Sequence, residues 1–323
     1  MKNKIFNIKS ALEFEKIALY IFKYQEKNNI IYHKYIKNLG VSVEKIRKIS
    51  EIPFMPIDFF KSKDVIIKNK KVQKTFYSSG TTGSKKSKHL ISDLEIYKKS
   101  FFKSFEYFYG DIKSYSFFAL MPNISENKNS SLIYMCYNLI KKSQNLESGF
   151  YLNDFDLILE NLKKSIRIGK KIFLIGISFA LLDFSEKVSI DLKNSIIMET
   201  GGMKGKRKEL IRSELHNIFK KKFNVENVHS EYGMTELLSQ AYSKKNGIFQ
   251  NTNWMKIFIR DIYDPFSFVE NGKTGGINII DLANINSCSF IETKDLGRLY
   301  EKNNFKVLGR FDNSDIRGCN LIR

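Results

Sequence analysis

The stretch Lys171-Ile172-Phe173-Leu174-Ile175-Gly176-Ile177 is of strand length and carries no polar residue after its opening lysine. A run that is apolar on both faces reads as a strand covered on two sides, the setting a parallel sheet provides. Upstream, Ser116 to Met121 reads as a second strand ending at Pro122, and Ser131 to Lys142 as a helix. Downstream, Ser195 to Glu199 reads as a third strand that leads into Gly201-Gly202. Strands alternating with helices point to crossover units and an α/β fold with a mostly parallel sheet. Further out, Ser10 to Lys27 reads as an amphipathic helix capped by Ser10, and the next helical stretch ends near Gly40. Ile52 to Phe60, with Pro53 and Pro56 among large apolar residues, reads as an extended, buried connector. After Asn253 the pattern changes. Lys256 to Tyr263, Gly276 to Asp281, Ser289 to Thr293 and Phe305 to Leu308 are strand-like with little helix between them. The expected organisation is one large domain over 1–323, with an α/β part (1–252) and a β-rich closing part (253–323).

The chain has 323 residues, 42% of them hydrophobic, enough for a substantial core, so disorder is excluded as its main state. The longest apolar stretch, Ile172 to Leu182, falls short of the roughly 20 residues of a membrane span. Met1 to Lys9 has no apolar core and no small-residue cleavage site, so the expected location is cytoplasmic. Cys136, Cys288 and Cys319 are odd in number and widely spaced, which frames neither a disulfide scaffold nor a metal-binding pair, leaving free-thiol chemistry. The net charge of +20 admits a nucleic-acid-binding module with interleaved aromatics. The lysines are scattered rather than grouped, however, and a solvated face that attracts phosphate-bearing ligands accounts for them. His33, His89, His216 and His229 share no metal-ligand spacing, and only His89 stands beside a motif.

That motif is Tyr77-Ser78-Ser79-Gly80-Thr81-Thr82-Gly83-Ser84-Lys85-Lys86. Glycines let backbone N–H groups converge, hydroxyls add donors, and ammonium groups neutralise charge, which suits a polyphosphate. An ordinary Ser/Thr/Gly surface loop has the same composition, and the spacing is not that of a Walker A loop. Glu231-Tyr232-Gly233-Met234-Thr235-Glu236 places an aromatic ring, a glycine, a hydroxyl and a carboxylate close together. Glu236 makes sense as a magnesium ligand only if the first loop binds nucleotide, since a bare carboxylate repels a triphosphate. In Thr293-Lys294-Asp295-Leu296-Gly297-Arg298 and Gly309-Arg310, an acid and an arginine suit a ribose and its phosphate, or else an ordinary turn and a surface ion pair.

Four motifs in this order resemble the adenylate-forming superfamily of acyl-CoA synthetases, luciferases and peptide-synthetase adenylation domains. Pro53-Phe54-Met55-Pro56 with Phe59-Phe60-Lys61, Ser130-Ser131-Leu132 and Arg317-Gly318-Cys319 are most similar to the acyl-protein synthetase (LuxE-type) family. The resemblance implies that ATP and Mg2+ activate a carboxylic acid, a long-chain fatty acid in that family, to an acyl-adenylate. Ser79, Gly80, Thr81, Thr82, Gly83 and Lys86 would form the phosphate loop, with Lys86 and Thr235 assisting catalysis and Thr235 on the α-phosphate. Gly201, Gly202, Tyr232 and Gly233 would line the adenine side, with Tyr232 stacked on the base. Asp295 and Arg310 would bind the ribose, and Glu236 the metal. The acyl group would then pass to Cys319 and on to an acyl reductase; an acyl-CoA or carrier-protein ligase would omit the self-acylated cysteine. The resemblance also implies that the superfamily's usual small carboxyl-terminal domain, whose lysine assists adenylation, is lacking. Phe117 to Met121, Leu132 to Met135 and Leu174 to Phe179 are candidate walls of an apolar acid pocket.

Overall fold

The computed structural model describes residues 1–79, 85–152, 154–203, 206–208, 210–301 and 304–311. Gly80, Thr81, Thr82, Gly83 and Cys319 lie outside them, as do Asp312, Asp315 and Arg317. In chain order the amino-terminal part comprises α1 (Lys2–Ile5), α2 (Ala11–Asn28), α3 (Ile30–Asn38), β1 (Met55–Pro56) and α4 (Phe59–Ser62). Next come β2 (Lys74–Tyr77), β3 (Lys88–Ile91), α5 (Leu94–Tyr109), β4 (Tyr115–Leu120), α6 (Ser131–Ser143) and β5 (Gly149–Phe150). The central crossovers are α7 (Phe155–Arg167), β6 (Lys171–Ile177), α8 (Ser178–Lys187), β7 (Ile196–Thr200), α9 (Arg212–Phe223) and β8 (His229–Tyr232). The closing strands are β9 (Ala241–Ser243), β10 (Phe249–Asn251), β11 (Met255–Arg260), β12 (Thr274–Asp281), β13 (Phe290–Leu299) and β14 (Phe305–Arg310).

Local chemistry sets these limits. Ser10 Oγ accepts from the Glu13 N–H, and Glu13 in turn accepts from the Lys9 N–H, closing the first turn of α2. Phe14, Ala18, Ile21, Phe22 and Gln25 then form its buried stripe. Asn29 caps α3 through Oδ1, while its Nδ2 donates to the Ser287 carbonyl far along the chain. Asp93 caps α5, which ends at Gly110 with φ of +82°, a conformation glycine adopts without steric cost.

One sheet runs in the order β11-β12-β13-β14-β10-β9-β8-β7-β6-β4-β5. Neighbours from β5 to β8 are parallel, and from β8 through β9 to β11 they are antiparallel. All six residues of β4 are buried, as are all but the first of β6, which explains their continuous apolar reading. The antiparallel strands continue the same hydrogen-bonded sheet through β9 and β10, with Phe249 opposite Phe305.

Two segments differ from the sequence reading. The proline-containing connector does more than link: Met55–Pro56 pairs in parallel with β13, the Ile57 N–H donates to the Glu292 carbonyl, and α4 begins before the segment ends. β13 runs on to Leu299 rather than stopping at Thr293. Thr293, Asp295 and Gly297 occupy its buried face, so polarity hides the alternation. The motif around Asp295 is therefore strand, not turn.

Candidate active site

Tyr232 ends β8 with its ring buried edge-on against Phe249 and Phe305, at centroid distances of 5.9 and 5.8 Å. Its hydroxyl donates to Asp295 Oδ2 at 2.7 Å. Asp295 faces Arg310 across β13 and β14, and its Oδ1 lies 3.3 Å from Arg310 Nε. Arg310 is 74% exposed while Asp295 is nearly covered, so the cation reaches outward from a fixed carboxyl. Burial pushes the Asp295 carboxyl above its usual range, with the Tyr232 hydroxyl and the arginines pulling it back. Three residues separated by up to 78 positions thus come together on interior strands of one sheet, and the surface ion pair considered from sequence is part of this group.

Gly233 follows because Glu231 leaves no room: a Cβ there would stand 2.4 Å from Glu231 Oε1. Glu231 points away from Tyr232, as strand alternation requires, and accepts from Thr200 Oγ1 at 2.6 Å. Its carboxyl is raised to about 7 by burial, with Thr200 lowering it and Glu199 raising it. Beyond Thr200, Gly201 and Gly202 have φ of +72° and +66°, and around Gly202 the space for a side chain is open. Two consecutive left-handed residues turn the chain away at the carboxyl end of β7, where open α/β sheets bind ligands.

The Thr235–Glu236 turn is held from several sides. Asp281, fully buried, accepts from the Leu238 and Ser239 N–H groups at 2.8 and 3.0 Å and from Ser239 Oγ at 2.6 Å. Asn284 Nδ2 donates to the Glu236 carbonyl at 2.8 Å, and the His89 ring meets the Thr235 carbonyl through Nδ1 at 2.8 Å. The Glu236 carboxyl is buried, and the Ser87 side chain acts to lower its pKa. Burial dominates and raises its pKa, so a neighbouring cation would favour its ionised form. Among the described residues no group of three or more His, Cys, Asp or Glu side chains forms a metal cage. A lone carboxylate fits Mg2+, which keeps waters and phosphate oxygens at its other positions.

β2 and β3 form a separate hairpin whose ends close the 79–86 loop: the Ser78 N–H donates to the Ser87 carbonyl and the Ser87 N–H to Ser78 Oγ, at 3.0 and 2.9 Å. Ser79 and Lys86 are exposed at the two ends. Through His89 this hairpin reaches Thr235, which brings the first and second motifs together. Cys136 and Cys288 are buried, the latter with its thiol pushed up to about 12, which removes Cys288 as an alternative nucleophile. The candidate pocket segments lie largely in the core, with Phe117, Phe118, Met121, Ile133, Met135 and Leu174 all buried. A cavity of about 560 Å³ lined by Met1, Tyr20, Tyr24 and Ile285 includes none of the site residues.

Sequence reasoning did not single out Asp281, Asn284 or Ser87. Each acts through the turn rather than within a motif, and a strand-ending aspartate gives no signal of what it will cap.

The architecture is shared with solved adenylate-forming enzymes. ATP-bound MatB from Rhodopseudomonas palustris superposes with a TM-score of 0.55 at 15% identity, covering 74% of this chain and 48% of that one. O-succinylbenzoate coenzyme A synthetase (MenE) from Bacillus subtilis, in complex with ATP and magnesium ion, gives 0.53 at 19% identity over 73% and 49%. 2-Hydroxyisobutyryl-CoA ligase with 2-HIB-AMP gives 0.71 at 10% identity over 93% and 68%. The chain thus spans about half the length of the first two, and identities this low establish the fold. Fold and motif order together define the class as the adenylate-forming acyl ligases. Within it, the chain belongs to the acyl-protein synthetase (LuxE) family, whose sequence profile matches residues 7–322. No curated protein sequence matches it significantly. No helix among the described residues is long and apolar enough to cross a membrane.

Proposed function

We propose that the chain activates a carboxylic acid, a long-chain fatty acid by family resemblance, and parks the acyl group on Cys319 for delivery to an acyl reductase. The observation that carries this reading is the Tyr232–Asp295–Arg310 group, assembled from β8, β13 and β14 beside the Thr235–Glu236 turn. Asp295 would take ribose hydroxyls on Oδ1, since Oδ2 is engaged by Tyr232, and Arg310 would reach the adjoining phosphate. The 79–86 loop with Lys86 would hold the outer phosphates, and Thr235 the α-phosphate. Gly201 and Gly202 would leave room for adenine at the carboxyl end of β7, while Tyr232, its ring buried against Phe249 and Phe305, would act through its hydroxyl on Asp295. Glu236 would hold Mg2+, which would supply charge neutralisation on the phosphates.

The acid's carboxylate oxygen bonds to the α-phosphorus as pyrophosphate departs. The Cys319 thiolate, after losing its proton to solvent, then bonds to the acyl carbon as AMP leaves with the electron pair. The burial of Cys136 and Cys288 supports Cys319 as the acceptor.

Intact-protein mass spectrometry after incubation with Mg·ATP and fatty acids of graded length tests the reading. A single acyl adduct, lost on hydroxylamine treatment and absent in Cys319→Ser, is expected. An adduct persisting in Cys319→Ser contradicts the assignment. No adduct, with acyl transfer to coenzyme A or a carrier protein unaffected by Cys319→Ser, establishes the ligase without self-acylation.

A further inference from the structure

His89 is fully buried on β3, 146 positions before the residue it meets, with its ring edge-on to Phe60 at 5.5 Å. Nδ1 lies 2.8 Å from the Thr235 carbonyl, an acceptor only, so the ring must donate there. Among the described residues Nε2 has no hydrogen-bond partner. The ring is therefore a neutral imidazole with its proton on Nδ1. Ser87 and His89 are two residues apart and share one face of the strand leaving the 79–86 loop. His89 engages Thr235, the residue before Glu236. The strand thus grips the turn at the Thr235 carbonyl.

We propose that His89 is a positioning residue that, by donating from Nδ1 to the Thr235 carbonyl, fixes the Thr235–Glu236 turn against the loop strand so that both act on one phosphate chain. This rests on the proposed nucleotide site. The effect is indirect, because the histidine is fully buried and meets the Thr235 backbone, and loss of such outer partners typically weakens a site about 10–100-fold. Burial lowers the imidazole pKa to about 4, so the ring that donates from Nδ1 is neutral near pH 7.

The test compares His89→Asn, whose amide nitrogen falls near the Nδ1 position, with His89→Gln, whose nitrogen falls near Nε2. Mg·ATP binding by calorimetry, kcat/KM for ATP in acid-dependent pyrophosphate exchange, and Tm are read for each. Both variants lose the ring contact with Phe60 and are expected to drop similarly in Tm. His89→Asn is expected to stay within about threefold of the parent in ATP affinity and kcat/KM, and His89→Gln to fall at least about tenfold. Asn and Gln variants with equal losses would overturn the proposal while leaving the nucleotide site standing. A parent protein that does not bind Mg·ATP would instead overturn the nucleotide site itself. Nitrogen-15 NMR of the histidine-labelled parent needs no variant: a proton on Nδ1 is expected, and one on Nε2 overturns the proposal.

Discussion

Asp295 and Glu231 are both carboxyls at strand positions near the turn, yet their surroundings set them different tasks. Asp295 is bracketed by a phenol and a guanidinium, so charge on it is matched as soon as it ionises. Replacing it by asparagine keeps an acceptor for Tyr232 but removes the partner of Arg310; kcat/KM for ATP in the exchange reaction is expected to fall at least about tenfold. Tyr232→Phe, which only frees Oδ2, is expected to cost less than Asp295→Asn. Glu231 has a single donor, Thr200, and keeps its proton up to about 7 against an ordinary value of 4.5. A folded-state pKa raised in this way stabilises the fold below about pH 4.5, and that stabilisation is lost as pH rises through 7. His89 and His229, both lowered to about 4 from 6.5, act oppositely, their contribution being lost as pH falls below 6.5. Denaturant titrations of the parent and Glu231→Gln should isolate the carboxyl. The stability difference, parent minus variant, is expected to decline by roughly 3 kcal/mol between pH 4.5 and 7.5 and to stay level above that. A difference independent of pH would refute the assignment.

At the scale of elements, strands covered on both faces were legible because apolar residues predominate there. Lys171–Ile177 is bounded as read, and β4, β7 and α6 fall within one residue of their expected limits. Elements on which the site depends were harder to see. The β2–β3 hairpin mixes Lys, Thr and His with Phe and Tyr, and β13 carries Thr293 and Asp295 inward, so neither shows apolar alternation. The motif residues were recognisable, but the buried carboxylate of Asp281 that shapes their turn was not. Asp281→Asn exchanges a charge-assisted acceptor for an amide with its own unmet donors; a loss of about 3 kcal/mol in unfolding free energy is expected from chemical denaturation. Close packing under the site is equally specific. A Cβ on Gly176 would stand 2.7 Å from Leu181 Cγ and 2.9 Å from Leu120 Cβ, forcing β6 away from its neighbours. Gly176→Ala is expected to cost about 1–3 kcal/mol, measured the same way.

Over the whole molecule, the order of four motifs carries the resemblance to the superfamily, because in the proposed site each would serve one part of a single nucleotide's recognition. Sequence could not show that the closing strands extend the parallel sheet through two short, partly polar strands, β9 and β10. That continuity is what carries Asp295 and Arg310 to Tyr232. The lysine-rich surface, +20 overall, suits phosphate-bearing ligands, the proposed nucleotide among them. The central claim is that segments from Tyr77 to Arg310 converge on one adenylation centre. Exchange of labelled pyrophosphate into ATP, run with Mg2+ and acids of increasing chain length, tests it most directly. Acid-dependent exchange that peaks at one chain length and falls at least about tenfold in Asp295→Asn is expected; a folded, Mg·ATP-bound protein showing no exchange with any acid would contradict it.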